Sequence, residues 1–437
     1  MKTKNRTDIV SVITLGCSKN RVDSEVLLTQ LRANQIHAEH ETDNANVVVI
    51  NTCGFIDRAK QESIQAILDY AEERKAGNID RLFVIGCLSE RYRNELAEEI
   101  PEVDGYFGTM DLPAILARFN ADYKHELVGE RLITTPSHYA YLKISEGCNR
   151  KCSFCAIPLM RGVHRSREIE SLVSEAKFLV SRGVKELMLI AQDLSYYGID
   201  VYGKRRLEDL LNALADVEGL QWIRLHYAYP AGFPFEILPV IRNRKNICNY
   251  LDIPLQHISD KMLTLMRRGL NKQKTADLIA RFRDEIPGLT LRTTMLVGHP
   301  GEKEEDVQEL LEFMESTRFD RLGVFTYSHE ENTHAHGFED DVDDEEKQER
   351  ADRVMELQQQ ISLDLNQEKI GRTIEVVVDR KEGEFFVGRS EADSPEVDNE
   401  ILISTKMKLK IGGFYNVEVY DAAEFDLFAR PAGETNP

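Results

Sequence analysis

Three cysteines stand within nine residues at 147–155, GCNRKCSFC, spaced C-x-x-x-C-x-x-C at Cys148, Cys152 and Cys155. A loop this short can present three thiolates to one corner of an inorganic centre, and iron–sulfur clusters are held by thiolates from such runs. No fourth cysteine is close in sequence, whereas a structural zinc site takes four protein ligands. A four-iron cluster held by three thiolates leaves one iron open; a zinc or redox loop is the plainer alternative. A second set is hidden by sequence distance. Cys17, Cys53 and Cys87 each follow an apolar run, in IVSVITLGC, NVVVINTCGF and RLFVIGCL. Taken singly, each suits a small buried apolar residue. Three at the ends of successive parallel strands would meet on one sheet edge, where ligands bind. Cys248 fits neither pattern and reads as core filler.

The elements that must position these thiols are legible as hydrophobic patterns. Over 8–120, Val- and Ile-rich strands alternate with amphipathic stretches such as DSEVLLTQLRANQ and QESIQAILDYAEE. Continuous apolar strands alternating with helices predict a doubly wound parallel α/β sheet covered on both faces. A weakly periodic linker, 121–138, follows. Over 134–371, six candidate strands (YAYLKIS, ELMLIAQD, WIRLHYA, NYLDIPLQH, LTLRTTMLVG and RLGVFTYS) alternate with helical patterns. Six β/α units, not eight, predict a partial TIM-like barrel open on one side. A long helix, about 345–370 and closed by Gly371, leads to a tail, 372–437. There TIEVVVDR, EFFVGRS, ILISTK and YNVEVYDA alternate apolar and polar residues, which predicts a small antiparallel β-barrel of OB-like kind.

A chain of 437 residues with 42% apolar and 30% charged residues has the balance of a soluble globular protein of two or three domains. The basic start and short apolar run of MKTKNRTDIVSVITLGC suit a first strand better than a signal peptide. No apolar stretch approaches the ~18 residues of a membrane span, so a cytoplasmic location is expected, where clustered thiols stay reduced. The net charge of −20 repels phosphate backbones at long range and favours a basic macromolecular partner. From 371 to 437 there are 14 Asp and Glu against 8 Lys and Arg, a net −6, which suits a cationic protein better than RNA. Phe385, Phe386 and Phe414 could stack bases but sit in alternating segments as core residues do. The acidic run 338–346 reads as the solvated start of the long helix.

The loop GCNRKCSFC resembles the cluster-binding motif of the radical S-adenosylmethionine superfamily. TLGCSKNRVDSE, VINTCGFI, VIGCL and EGCNRKCSFCAIPLMRG, followed by a C-terminal β domain of the TRAM kind, occur in the order seen in its methylthiotransferases. The resemblance spans nearly the whole chain. It implies two [4Fe-4S] clusters, one on Cys17, Cys53 and Cys87 and one on Cys148, Cys152 and Cys155. The second would bind S-adenosylmethionine and yield a 5′-deoxyadenosyl radical; the first would carry the sulfur to be inserted. Lys19 and Asn20 after Gly16-Cys17-Ser18, and IPLQHIS, resemble the branch that modifies an aspartate β-carbon of the basic small-subunit ribosomal protein S-twelve. The branch acting on transfer RNA adenosines typically has Gln-Met-Asn at the first of these places. That branch, and a non-catalytic iron–sulfur scaffold, are the alternatives. An electron donor, no membrane and a monomeric state are further expectations. The resemblance places Phe154 against the adenine; Gln192 and Asp193, and Leu296, Val297 and Gly298, end barrel strands at the ligand-binding edge and are candidate cofactor contacts. A tight turn at His299-Pro300-Gly301 is the other explanation for Gly298. His226, His257 and His299 also follow barrel strands, and no role is assigned to them.

Overall fold

The computed structural model describes residues 8–127, 129–404 and 406–433. Thr405, in the expected ILISTK strand, and residues 434–437 of the expected tail lie outside the described residues.

The first unit runs β1 (Ile9–Thr14), α1 (Ser18–Ala33), β2 (His37–His40), β3 (Val47–Thr52), α2 (Asp57–Ala76), β4 (Arg81–Gly86), α3 (Cys87–Glu99), β5 (Gly105–Tyr106) and α4 (Leu112–Ala117). Its five strands are parallel, in the order β2-β1-β3-β4-β5. Val10, Val12, Val47, Val49, Phe83 and Ile85 face α1 and α4, while Val48, Ile50, Leu82 and Val84 face α2 and α3. Both faces are buried, which is why these strands read as unbroken apolar runs. β2 and β5 go beyond the expected three: HAEH and GY are too short and too polar to signal a strand. Strand order reverses between β1 and β3, the switch point where open sheets bind ligands.

The central unit holds β6 (Tyr139–Lys143), β7 (Ser145–Glu146), α5 (Ile157–Arg161), β8 (Arg165–Ser166), α6 (Ile169–Ser181), β9 (Glu186–Ile190), α7 (Ile199–Tyr202), α8 (Leu207–Ala215), β10 (Trp222–Leu225), α9 (Leu238–Asn243), β11 (Ile247–Asp252), α10 (Asp260–Leu265), α11 (Lys272–Glu285), β12 (Thr290–Val297), α12 (Glu304–Thr317) and β13 (Arg321–Thr326). Six strands form one sheet in the order β6-β9-β10-β11-β12-β13, as the β/α count predicts, with β6 and β13 as open edges. Leu187, Leu189, Ile223, Leu225, Leu251 and Leu291 face outward into the helix layer. Of the alternate positions, which turn inward, many are charged or aromatic: Glu186, Arg224, His226, Tyr250, Asp252, Arg292 and Arg321 line the lumen, all but Arg292 buried, while Met188 and Ile190 pack on Tyr139 and Tyr141.

That polar lumen is filled by the tail. α13 (Asp344–Gln367) leads to β14 (Thr373–Glu382), β15 (Phe385–Ser390), β16 (Glu400–Ser404), β17 (Phe414–Ala422) and β18 (Asp426–Pro431), a closed barrel in the order β14-β15-β16-β18-β17. Four of its strand pairs are antiparallel, and one pair, β16 and β18, is parallel; the fifth strand, DLFARP, escapes the pattern because its closing proline argues against a strand. Glu186 accepts from Arg224 at 3.0 Å and from Arg389 at 2.8 Å. Asp393 pairs with Arg321, and Asp398 with Arg292. Trp222 meets Phe414 edge-on at 4.8 Å, and Phe386 lies in the small barrel's own core. The tail's carboxylates are therefore partly committed to barrel arginines, so its net −6 overstates the charge offered to a partner.

The segment 121–138 is not a loose tether. Arg131, 4% exposed, donates to Glu175 at 2.8 Å, to Glu25 of α1 and to the Tyr141 carbonyl, and so locks the first unit to the barrel. The acidic run before α13 behaves as a helix start: Asp343 accepts from the Glu346 N–H at 2.8 Å.

Candidate functional site

Cys17 stands at the N-cap of α1, Cys53 follows β3, and Cys87 opens α3. All three are at the carboxyl edge of the sheet, and the first two straddle its switch point. Gly16 permits the close approach: its φ is +85°, and a Cβ there would fall 2.6 Å from Cys53 Cβ and 2.9 Å from its Sγ. Asn20, fully buried, ties the strand ends together by donating to the carbonyls of Leu15 at 2.8 Å and Thr52 at 3.0 Å. Burial pushes the Cys87 thiol up to about 12; Arg161 pulls against this, and Cys17 and Cys53 push the same way as burial. The three sulfurs are near enough to feel one another's charge.

The loop carrying Cys148, Cys152 and Cys155 runs from β7 to α5. Gly147, at φ +76°, turns the chain where a Cβ would collide with the Val163 carbonyl oxygen. Ser153 pins the loop from within: its N–H donates to Met266 O at 3.1 Å, its carbonyl accepts from Ala335 N–H at 2.7 Å, and its hydroxyl meets His299 Nε2 at 3.1 Å. Burial pushes Cys148 up to about 11 and Cys155 up to about 12. Arg268, 3% exposed, donates from Nη1 to Cys152 Sγ at 3.0 Å.

A second buried guanidinium joins the two groups of thiols. Arg161 ends α5, which begins two residues after Cys155. Its Nε donates to Cys87 Sγ at 3.2 Å, its Nη1 to Asp23 at 2.6 Å, and its Nη2 to Asn20 Oδ1. Cys87 also packs on Ala156 and Met160, with Phe55 and Ile157 at the edge. A cavity of 180 Å³ opens between the loops, lined by Phe55, Phe154, Tyr227, Gln256, Leu296 and Tyr327 among others.

Among the described residues no three Cys, His, Asp or Glu side chains converge to hold a single metal ion, as zinc would require. A four-iron cluster asks for a wider triangle, because each thiolate binds its own iron. Two trios of thiols, each with a buried guanidinium donating to one sulfur, fit such anionic groups, whose hydrogen bonds and burial tune them.

Phe154 and Leu296 line the cavity. Val297 does not: period-two alternation turns its side chain into the helix-packed core. Gly298, at φ +77°, is needed because a Cβ would collide with Lys347 Cγ of α13, so the close approach there is to a helix. Asp193 is buried and engaged by Arg150 at 2.7 Å and by the Ser195 N–H at 2.8 Å. Gln192 donates to Glu146 at 2.6 Å, and its carbonyl oxygen is buried without a partner. Cys248 is core filler, packed with Trp222, Tyr250 and Val377. His226 meets Ser394 at 2.9 Å and His257 meets Glu302 at 3.1 Å, both structural contacts. Nothing in the residue pattern singles out Arg268 or Tyr227. Only the arginine next to Gly162, six residues past Cys155, offers a signal, and a lone arginine is ordinarily a surface residue.

Residues 9–108 match the Uncharacterized protein family UPF0004, 142–314 the Radical SAM superfamily and 370–431 the TRAM domain. The radical S-adenosylmethionine methyltransferase TsrM from Kitasatospora setae is 14% identical, with a TM-score of 0.54 over 74% of this chain and 72% of that one. The cobalamin-dependent S-adenosylmethionine radical enzyme OxsB gives 12% and 0.52 over 75% and 54%. At such identities the likeness concerns the fold. Among curated proteins, the ribosomal protein uS12 methylthiotransferase RimO of Cytophaga hutchinsonii is 61% identical over 98% of this chain and 99% of its own length. Those of Christiangramia forsetii and Bacteroides thetaiotaomicron are 58% and 53% identical over 100% and 96% of this chain, and 97% and 98% of their own. With identity this high from end to end, the chain belongs to the ribosomal protein uS12 methylthiotransferase family of radical S-adenosylmethionine enzymes.

Proposed function

We propose that this chain replaces a β-carbon hydrogen of an aspartate in ribosomal protein uS12 with a methylthio group, Cys17, Cys53 and Cys87 holding one four-iron cluster and Cys148, Cys152 and Cys155 the other. The observation that carries this reading is the common cavity flanked by both cysteine loops, with Arg161 reaching from one loop to the other. When bound, the clusters and S-adenosylmethionine supply the radical that removes the hydrogen and the methylthio group that replaces it, chemistry outside the reach of side-chain acids and bases. The chain's own residues position and shield. Phe55, Phe154, Leu296 and Tyr327 form apolar walls that keep water from a reactive carbon centre. Arg161 and Arg268 compensate the negative charge of thiolates in a dry setting.

The units 8–120, 134–371 and 372–437 divide the work: the first brings sulfur, the second generates the radical, and the third seals the barrel's lumen. Cofactor contacts beyond the cysteines are Phe154 and Leu296, which line the cavity. Gln192, with an unpaired buried carbonyl oxygen, has a free acceptor for the amino end of S-adenosylmethionine. Among the described residues no helix is long and apolar enough to cross a membrane; the chain works in the cytoplasm, as a monomer, fed by an electron donor, and meets a basic partner through the carboxylates its own arginines leave free.

The test is mass spectrometry of uS12 and of transfer RNA after incubation with the reconstituted, reduced protein and S-adenosylmethionine. A methylthio adduct on one aspartate of uS12 is expected. An adduct on RNA with none on uS12 contradicts the reading.

A further inference from the structure

Lys19 is the second residue of α1, two positions beyond Cys17. It is 8% exposed, and its Nζ lies 3.3 Å from the centroid of the Tyr227 ring. Among the described residues no carboxylate stands within ion-pair distance of that ammonium. Other buried cations nearby have partners that accept hydrogen bonds: Arg161 pairs with Asp23 and Glu146, Arg131 with Glu25 and Glu175, Arg224 with Glu186, and Arg268 donates to Cys152 Sγ and the Pro254 carbonyl. A buried ammonium whose partner is a ring face is costly, because its desolvation outweighs what a cation–π contact returns. Such a group suits an anion that arrives later.

The ring beneath it marks the place. Tyr227 follows β10 at the carboxyl end of the barrel and forms one wall of the cavity between the cysteine loops. Its φ is +63°, and that of Gln256, another wall residue, is +77°. Left-handed backbone at a residue other than glycine is strained and collects at ligand sites. Arg161 already supplies the cation at Cys87, whereas Lys19 extends across to the barrel side.

From these observations we infer that Lys19 is a specificity-determining residue that binds the side-chain carboxylate of the substrate aspartate and holds its β-carbon at the cavity. The inference rests on the reading that the substrate is an aspartate. A carboxylate one bond from the reacting carbon is the anion that would fit a cation poised over a cavity wall. The positive charge would also set aspartate apart from asparagine, whose amide cannot make the pair.

The test compares kcat/KM for uS12 carrying the target aspartate with kcat/KM for uS12 carrying asparagine there, by mass spectrometry, in wild-type holoenzyme and the variants Lys19→Met, Lys19→Gln and Lys19→Arg. Iron content and thermal midpoint identify any variant that fails to fold, and either neutral variant suffices. In the neutral variants the aspartate value is expected to fall by about 30-fold or more, mostly through KM, while the asparagine value moves little, so the preference collapses; Lys19→Arg restores most of it. Two results overturn the assignment: a neutral variant that keeps the wild-type preference for aspartate, or one whose defect lies in the KM for S-adenosylmethionine. Wild-type enzyme that modifies neither form of uS12 overturns the underlying reading instead, a result distinct from a retained preference.

Discussion

Arg161 shows how one side chain holds a site together. Its guanidinium touches Cys87 and Asn20 of the first unit from a helix that follows the barrel's own cysteine loop, and it does so almost without exposure to water. Replacing it with methionine leaves Asp23 and Glu146 partly buried with one cation fewer, at a cost of about 3–5 kcal/mol. Arg161→Met is expected to lower the thermal midpoint and to lose iron from the Cys17, Cys53 and Cys87 trio before the other; iron analysis and calorimetry check this. An unchanged midpoint and iron content would show that the guanidinium is dispensable. The six cysteines are legible in the sequence because thiols are rare and their spacing is informative. The arginines are not, since nothing local marks an arginine as buried. Val297 and Gly298 show the limit of reading strand ends: the alternation of β12 assigns one to the core, and packing by α13 accounts for the other.

At the scale of elements, apolar runs and helical periods reveal three sheet strands of the first unit and all six of the barrel, because burial on both faces leaves a strong pattern. What escapes them is the docking of the tail into the barrel. Glu186, Arg224, Arg292 and Arg321 read as polar positions of strands, yet they pack inside the barrel, the latter three with Glu186, Asp398 and Asp393, and Glu186 with Arg389 as well. The physical reason is that these charges satisfy one another largely across long stretches of sequence. Burial alone would raise the Glu186 carboxyl, but Arg389 and Arg224 outweigh it and hold it below the usual carboxylate range. A group depressed in the folded state contributes stability above its unfolded value, about 4.3 for glutamate, and loses it as pH falls through the folded value. The thermal midpoint should therefore drop on acidification below about pH 4. Glu186→Gln should cost about 3 kcal/mol at neutral pH and flatten this acid dependence; a variant with the wild-type pH profile would contradict the role given to Glu186.

At the scale of the whole molecule, the first unit and the barrel enclose one cavity. The doubly wound sheet brings its switch point to the open barrel's carboxyl edge, Arg131 in the linker fixes that approach, and the small barrel fills the lumen from the other side. The acidic surface follows from sequence alone, but its use does not, because Asp379, Asp393 and Asp398 are spent on the protein's own cations. The direct measurement is iron and sulfide content of anaerobically reconstituted protein, with cluster type read by Mössbauer spectroscopy. It compares wild type with two triple-alanine variants, one at Cys17, Cys53 and Cys87 and one at Cys148, Cys152 and Cys155. About eight irons in wild type and about four in each variant are predicted. Full iron in the first variant would contradict the claim that two clusters face a shared cavity.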